Sequence, residues 1–213
     1  MPKILSAEDI ADFRAALCRV ATERFARYGY DGVTMRQLAD DLGCSPKTPY
    51  RYFKDKDEIL AAVRADAFRR FADALEAEAS RHRDPSKRAR AVGQAYLDFA
   101  LANPAAYRIM FDHHRAEDTG HPELARESKR ARGFITRQAE DMAEVGLVEG
   151  DPRVVGYAMW AAVHGLVVLR LAGFLGDEAG FRDLHAATMR LIARGARAAK
   201  GESVGKQERR RKP

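Results

Sequence analysis

Four times along this 213-residue chain a proline directly follows a Ser, Asp or Asn able to cap a helix: Ser45-Pro46, Asp84-Pro85, Asn103-Pro104 and Asp151-Pro152. Proline suits the first helical position, where its missing N–H has no intrahelical partner, and a preceding Ser, Asp or Asn accepts from the free N–H groups of that turn. Each pair therefore predicts a helix start. Two capping boxes add further starts, Thr34-Met35-Arg36-Gln37 and Asp55-Lys56-Asp57-Glu58, the second with Asp in place of Ser or Thr. Between these signals the apolar residues follow the helical period. Ile10, Phe13, Leu17, Val20, Ala21, Phe25 and Tyr28 mark one face of a first helix, closed by Gly29. Leu60, Val63, Ala67, Phe68, Phe71 and Leu75 mark a long helix after Asp55, and Phe181, Leu184, Thr188, Leu191 and Ile192 mark the last. No stretch alternates with period two, and no Asn-Gly or Asp-Gly hairpin separates β-rich runs. The expected fold is all-α, with about nine helices joined by short loops.

Composition narrows the function classes. An apolar share of 46% with 32% charged residues excludes a wholly disordered chain. The start, MPKILSAEDI, has no apolar core of a secretory signal, so a cytoplasmic location is expected. Cys18 and Cys44, without a CxxC or Cys/His spacing, read as free thiols. The net charge of +6 suggests an anionic partner, nucleic acid before membrane. Much of it lies in residues 200–213, where six basic residues stand against Glu202 and Glu208 with no apolar stripe. That tail is expected to be disordered and solvated.

Residues 34–53 carry the most information. A helix opened by Thr34 runs through Leu38, Ala39 and Leu42 to Gly43, and Ser45-Pro46 signals another start two residues later. Two short helices joined by so tight a turn, with glycine where a left-handed conformation is needed, form the pattern of a helix-turn-helix. The second, SPKTPYRYF, offers Ser45, Lys47, Thr48, Tyr50, Arg51 and Tyr52 to phosphates and base edges. From Gly43 to Lys56, Lys47, Arg51, Lys54 and Lys56 face only Asp55, a local excess of positive charge.

The segment TMRQLADDLGCSPKTPYRYFKDKDEIL closely resembles the DNA-binding domain of the TetR family of bacterial transcriptional repressors. Thr34, Leu38, Ala39, Gly43, Ser45, Thr48, Tyr50, Tyr52, Phe53, Lys56 and Leu60 occupy the positions of its pattern, after the FARYGYDGVT approach such proteins also show. The resemblance implies an N-terminal three-helix DNA-binding domain over residues 1–55, a helical ligand-binding and dimerisation domain over 56–199, and the basic tail beyond. It implies that Thr34 and Lys56 hold phosphates at helix starts and that Tyr50 and Tyr52 do so from the recognition helix, with inward packing of one of the two tyrosines as the alternative. Arg36, Lys47 and Thr48 are the candidates for base edges, since Arg or Lys can read the O6/N7 edge of guanine. Leu38, Leu42 and Phe53 are expected as buried supports. Pro49 departs from the family, which has a non-proline residue there. It removes a backbone donor, so the recognition helix is expected to be distorted or shifted in register.

The rest of the chain resembles the family loosely. The run over residues 154–175 approaches membrane-spanning length, but Arg170, His164 and three glycines interrupt it, and no membrane role is expected. The resemblance implies that the last two long helices pair with their copies in a homodimer, with Gly156, Ala161, Ala162, Gly165, Ala172 and Gly173 permitting close approach. Trp160, His164 and Gly165 resemble a W-x-x-x-H-G element of one subgroup of TetR-like regulators. Two copies are also what a specific, near-palindromic operator requires of so small a reading head. Tyr96, Phe99, Tyr107, Met110, Phe111, Phe134, Met142, Trp160 and His164 are the candidates to line a site for a small, mostly apolar effector, with ordinary core packing as the alternative for any one of them. Asp112, His113, His114, Glu117, Asp118 and His121 raise a metal site, which adjacent histidines on a regular helix disfavour. No catalytic motif is present, and neither a cofactor nor a metal is expected. The expected function is DNA-binding transcriptional regulation, as a repressor released by an effector of unknown identity. The alternatives are a constitutive DNA-binding protein and, further off, a metal-responsive or enzymatic helical protein.

Overall fold

The computed structural model describes residues 6–111 and 120–197; the basic tail and most of the acidic-histidine run lie outside them. The described residues form eight α-helices, short stretches of 3-10 helix and no strand. In chain order these are α1 (Ala7–Tyr28), α2 (Met35–Asp41), the 3-10 turn Pro49–Arg51, α3 (Lys56–Ser80), α4 (Pro85–Ala102), α5 (Pro104–Phe111), α6 (Pro122–Glu144), α7 (Pro152–Leu171) and α8 (Glu178–Gly195). Three of the four proline signals open helices, at Pro85, Pro104 and Pro152. The Thr34–Gln37 capping box forms in full. The Asp55–Glu58 box forms by half: the Asp55 carboxylate accepts from the Glu58 N–H at 2.9 Å, while Glu58 turns to the N–H of Lys54 at 2.6 Å.

The described chain packs as two units. The first, Met1–His82 with Arg90–Phe134, holds α1, α2, the 3-10 turn, α3, α5 and parts of α4 and α6. Its first core joins Leu17, Ala21 and Phe25 of α1, Val33, Met35 and Leu38 around α2, Phe53 from the loop before α3, Ile59 and Val63 of α3, and Ile109 of α5. Each large side chain so buried contributes roughly 1.5–3 kcal/mol. This core draws on α3 and α5, beyond residue 55. Arg24 of α1 fastens α2 by a two-pronged pair with Asp41, one bond being 2.6 Å, and this holds the Asp41 carboxyl below its ordinary range. The expected face of α1 is only partly covered. Ile10 is 40% and Tyr28 51% exposed, at the two ends of that face, while Leu17, Ala21 and Phe25 between them are buried. Farther along, Arg130 of α6 bonds Asp73 at 2.7 Å and Glu76, both on α3.

The second unit comprises Arg83–Ala89 and Ile135–Pro213. Here α7 packs on α8, and the Arg88–Asp141 pair closes at 2.7 Å. Of α7 only Gly156, Val163 and Val167 are buried, and of α8 only Phe181. Leu184 and Leu191, on the apolar stripe of α8, are exposed within the unit. The reading of Gly156 is corrected. Rather than standing free for a second copy, it lies against α6, where a Cβ would sit 2.9 Å from Thr136 Cα and closer still to the Ile135 carbonyl. By length and composition α7 is apolar enough to cross a membrane.

Candidate nucleic-acid interface

The helix-turn-helix begins as the sequence indicates. Thr34 caps α2, its hydroxyl accepting from the Gln37 N–H at 3.3 Å and donating to the Gln37 amide oxygen at 3.1 Å. At the other end Gly43 takes φ +64°, its N–H bonds the Asp40 carbonyl, and the Cys44 N–H reaches back to Ala39, both at 3.0 Å. These two bonds are a Schellman stop, and glycine supplies the positive φ without strain.

The second helix does not form as expected. Residues 45–48 make a turn, and Pro49–Arg51 a single 3-10 turn. The reason is local. An α-helix capped at Ser45 needs the N–H of residue 49 to reach the Ser45 carbonyl, and Pro49 has none. The Thr48 N–H takes that carbonyl instead at 2.8 Å, one residue early, and the tighter period continues with Arg51 N–H on Thr48 and Tyr52 N–H on Pro49, each at 3.0 Å. Pro49 itself is buried, so the reading segment is an irregular loop seated on a proline.

This geometry sorts the candidate residues. Thr34, Arg36, Ser45, Lys47 and Tyr50 are exposed, Tyr50 by 56%. Arg51, which the sequence already offers to phosphates and base edges, and Lys54, which stood only in the local charge count, join them as exposed cations. Ser45 stabilises the turn, its hydroxyl accepting from the Lys47 N–H at 3.4 Å. Thr48 is half-buried. Tyr52, expected at phosphate, is half-buried with its ring stacked on Phe13, the centroids 4.1 Å apart. Lys56 is drawn inward: its ammonium donates to the carbonyls of Tyr30 and Val33, both at 2.7 Å, and lies 3.9 Å from the Tyr30 ring centre. The Tyr30 hydroxyl in turn bonds Asp57. Leu38 and Phe53 are buried supports, and Leu42 packs against the same core from a half-buried position. The exposed surface of this head is therefore basic and polar, suited to phosphate and base edges, and is carried on a core that includes the start of α3.

The effector candidates divide between the two units. In the first, Phe71 packs edge-on against Tyr96 and Phe99, Tyr96 against Tyr107, and Tyr107 against Phe111, with centroids 5.0–5.9 Å apart. The hydroxyls of Tyr96 and Tyr107 share a buried hydrogen bond of 2.7 Å. Burial first, then the neighbouring Tyr96, pushes the Tyr107 phenol far above its ordinary range. Met110 and Phe134 are buried in this unit as well. In the second unit Met142 is buried, and Trp160 stacks on His164 at 5.5 Å. Among the described residues no group of His, Cys, Asp and Glu is placed to hold a metal ion. Cys18 and Cys44 are free thiols, and burial pushes Cys18 up to about 11, away from reactivity.

Two family models match the chain: that of the bacterial regulatory proteins of the tetR family over residues 17–63, and that of the tetracyclin repressor-like C-terminal domain over residues 89–194. The HTH-type transcriptional repressor AcnR of Corynebacterium jeikeium is 32% identical over 34% of this chain, which spans 38% of that repressor's length. The HTH-type transcriptional regulator Rv1816 of Mycobacterium tuberculosis is 26% identical, over 77% of this chain and 82% of that protein. A solved bacterial regulatory protein of the tetR family from Rhodococcus RHA1 shares the fold, with a TM-score of 0.72 at 23% identity, covering 87% of this chain and 97% of that one. The helix-turn-helix, its capping chemistry and the all-helical remainder agree with these likenesses: the chain belongs to the TetR family of helix-turn-helix transcriptional regulators.

Proposed function

We propose that the protein is a homodimeric repressor that leaves its operator when a small, mostly apolar effector binds at the aromatic cluster of the first unit. One observation carries this reading: α5 belongs to two cores at once. Ile109 sits in the core of the DNA-reading head with Leu17, Phe25 and Leu38, while Tyr107, two residues earlier on the same helix, is bonded to Tyr96 in the aromatic cluster. A ligand that parts Tyr96 from Tyr107 moves a helix on which the head is built. A hundredfold weakening of DNA binding requires the ligand to prefer the DNA-incompetent arrangement by roughly 2.7 kcal/mol.

In this reading the DNA contacts are divided. Thr34, Tyr50, Arg51 and Lys54 hold phosphates, and Arg36 and Lys47 reach base edges. Dimerisation is supported by the second unit, where Tyr157, Val168 and Leu169 of α7 and Leu184 and Leu191 of α8 stand exposed. A second copy that buries those side chains accounts for an apolar face that water disfavours.

The test is a mobility-shift titration with DNA from upstream of the protein's own gene, repeated at several salt concentrations. Sequence-dependent, salt-sensitive binding is expected, and Arg36→Ala is expected to relax preference at one base pair by about 1–3 kcal/mol while other positions keep theirs. Binding that no apolar ligand in a broad screen weakens would favour a constitutive DNA-binding protein instead.

A further inference from the structure

The end of the reading segment is held by side chains that lie outside the expected set of DNA contacts. Arg14 of α1 lays its guanidinium 3.9 Å from the Phe53 ring centre, donates from Nη1 to the Tyr52 carbonyl, and pairs at 4.0 Å with Glu58 of α3. Glu58 accepts from the Lys54 N–H at 2.6 Å. One ion pair thus fixes a backbone carbonyl on one side of buried Phe53 and a backbone N–H on the other. Beside it, the Phe13 ring is stacked on that of Tyr52. The frame matters because the segment has little helix of its own: one 3-10 turn follows the proline, and the carbonyl that Arg14 takes belongs to its closing residue. A cation at that end also suits the partial negative charge there.

We propose that Arg14 is a positioning residue for operator recognition. From α1 it sets the height and angle of Lys47, Tyr50 and Arg51 through Tyr52 and Phe53, and adds no phosphate contact of its own. Lysine cannot replace it, because the interaction uses a planar fork that lies flat on the ring while donating sideways. The inference rests on reading residues 45–54 as the segment that meets DNA.

The test uses the full chain, a duplex recovered from a randomised library by selection with the wild-type protein, and a shuffled duplex of the same composition. Arg14→Met is expected to lower the ratio of selected to shuffled affinity roughly tenfold, the equivalent of one base contact. The salt slope on the shuffled duplex stays unchanged, and Arg14→Lys recovers only part of the ratio. Leu75→Ala, a buried truncation elsewhere in the first unit, is expected to lower the melting midpoint and leave the ratio alone. A ratio within about twofold of wild type in Arg14→Met overturns the inference, and so does a salt slope reduced by about one, which would make Arg14 a direct phosphate contact. An equal loss in Leu75→Ala also overturns it, as an effect of stability alone. If Arg14→Met does not fold, the ratio in Arg14→Lys decides in the same way. A wild-type protein that selects no sequence fails earlier and separately, at the assignment of residues 45–54 to DNA.

Discussion

Lys56→Met separates a brace from a phosphate anchor. The methionine keeps the apolar stem, so the change isolates the ammonium. That ammonium makes two bonds of 2.7 Å to the Tyr30 and Val33 carbonyls and lies over the Tyr30 ring. A hydrogen bond to a charged group is worth about 1.5–3 kcal/mol when buried, and Lys56 is only half-buried, so the low end applies. The Tyr30 carbonyl also accepts from the Val33 N–H at 3.3 Å and is not left bare. With about 0.5–1 kcal/mol from the cation–π contact, the expected loss is about 2–3 kcal/mol. For a chain of this size that lowers the thermal midpoint by about 5–10 °C. The assay is a melt followed by circular dichroism, paired with DNA titrations at several salt concentrations. An unchanged midpoint, together with a salt slope reduced by about one, would make Lys56 a phosphate anchor alone and refute the bracing argument.

Gly156→Ala is expected to cost the second unit about 1–3 kcal/mol, since the new methyl meets the backbone of Ile135 and Thr136 rather than a side chain that can swing away; a wild-type melting curve would show that α6 and α7 can part freely. Tyr107→Phe removes one partner of the buried 2.7 Å hydrogen bond to Tyr96 and is expected to cost about 1–2 kcal/mol, whereas the double variant Tyr96→Phe/Tyr107→Phe is expected to cost less than the sum of the two single changes, since both remove the same bond. Strictly additive losses in urea titrations would sink this pairing. His185 is held below its ordinary 6.5 by burial and then by Arg182, so the unfolded chain takes up its proton first. Stability from this site is full above the unfolded value and declines as pH falls through about 6.5. His185→Gln is expected to remove that part of the acid dependence, and a slope unaltered by the change would assign it to other groups.

Much of the fold was legible because its signals are local. Three proline caps, the Thr34 box and Gly43 each fix a few backbone bonds within one or two turns, and helical period follows from side-chain spacing alone. The candidate site was legible as a composition: a basic, polar segment at the spacing of the family pattern. Which of its side chains face water was not. Tyr50 and Tyr52 read alike in sequence, yet Phe13, far back in α1, turns one ring inward and leaves the other exposed. Lys56 reads as a surface cation until the α1–α2 loop brings two carbonyls to it.

The sequence by itself determined that the chain is helical, where most helices begin, that a turn at Gly43 sets up a DNA-reading head, and, through Pro49, that the reading helix is disturbed. Each of these depends on neighbours a few residues away, whose geometry the covalent chain dictates. Only the tertiary structure decided that Arg14 clamps the reading segment, that Gly156 serves α6, and that α5 is common to the head's core and the aromatic cluster. Those facts turn on which surfaces meet, and a burial stripe along one helix does not say which helix will cover it.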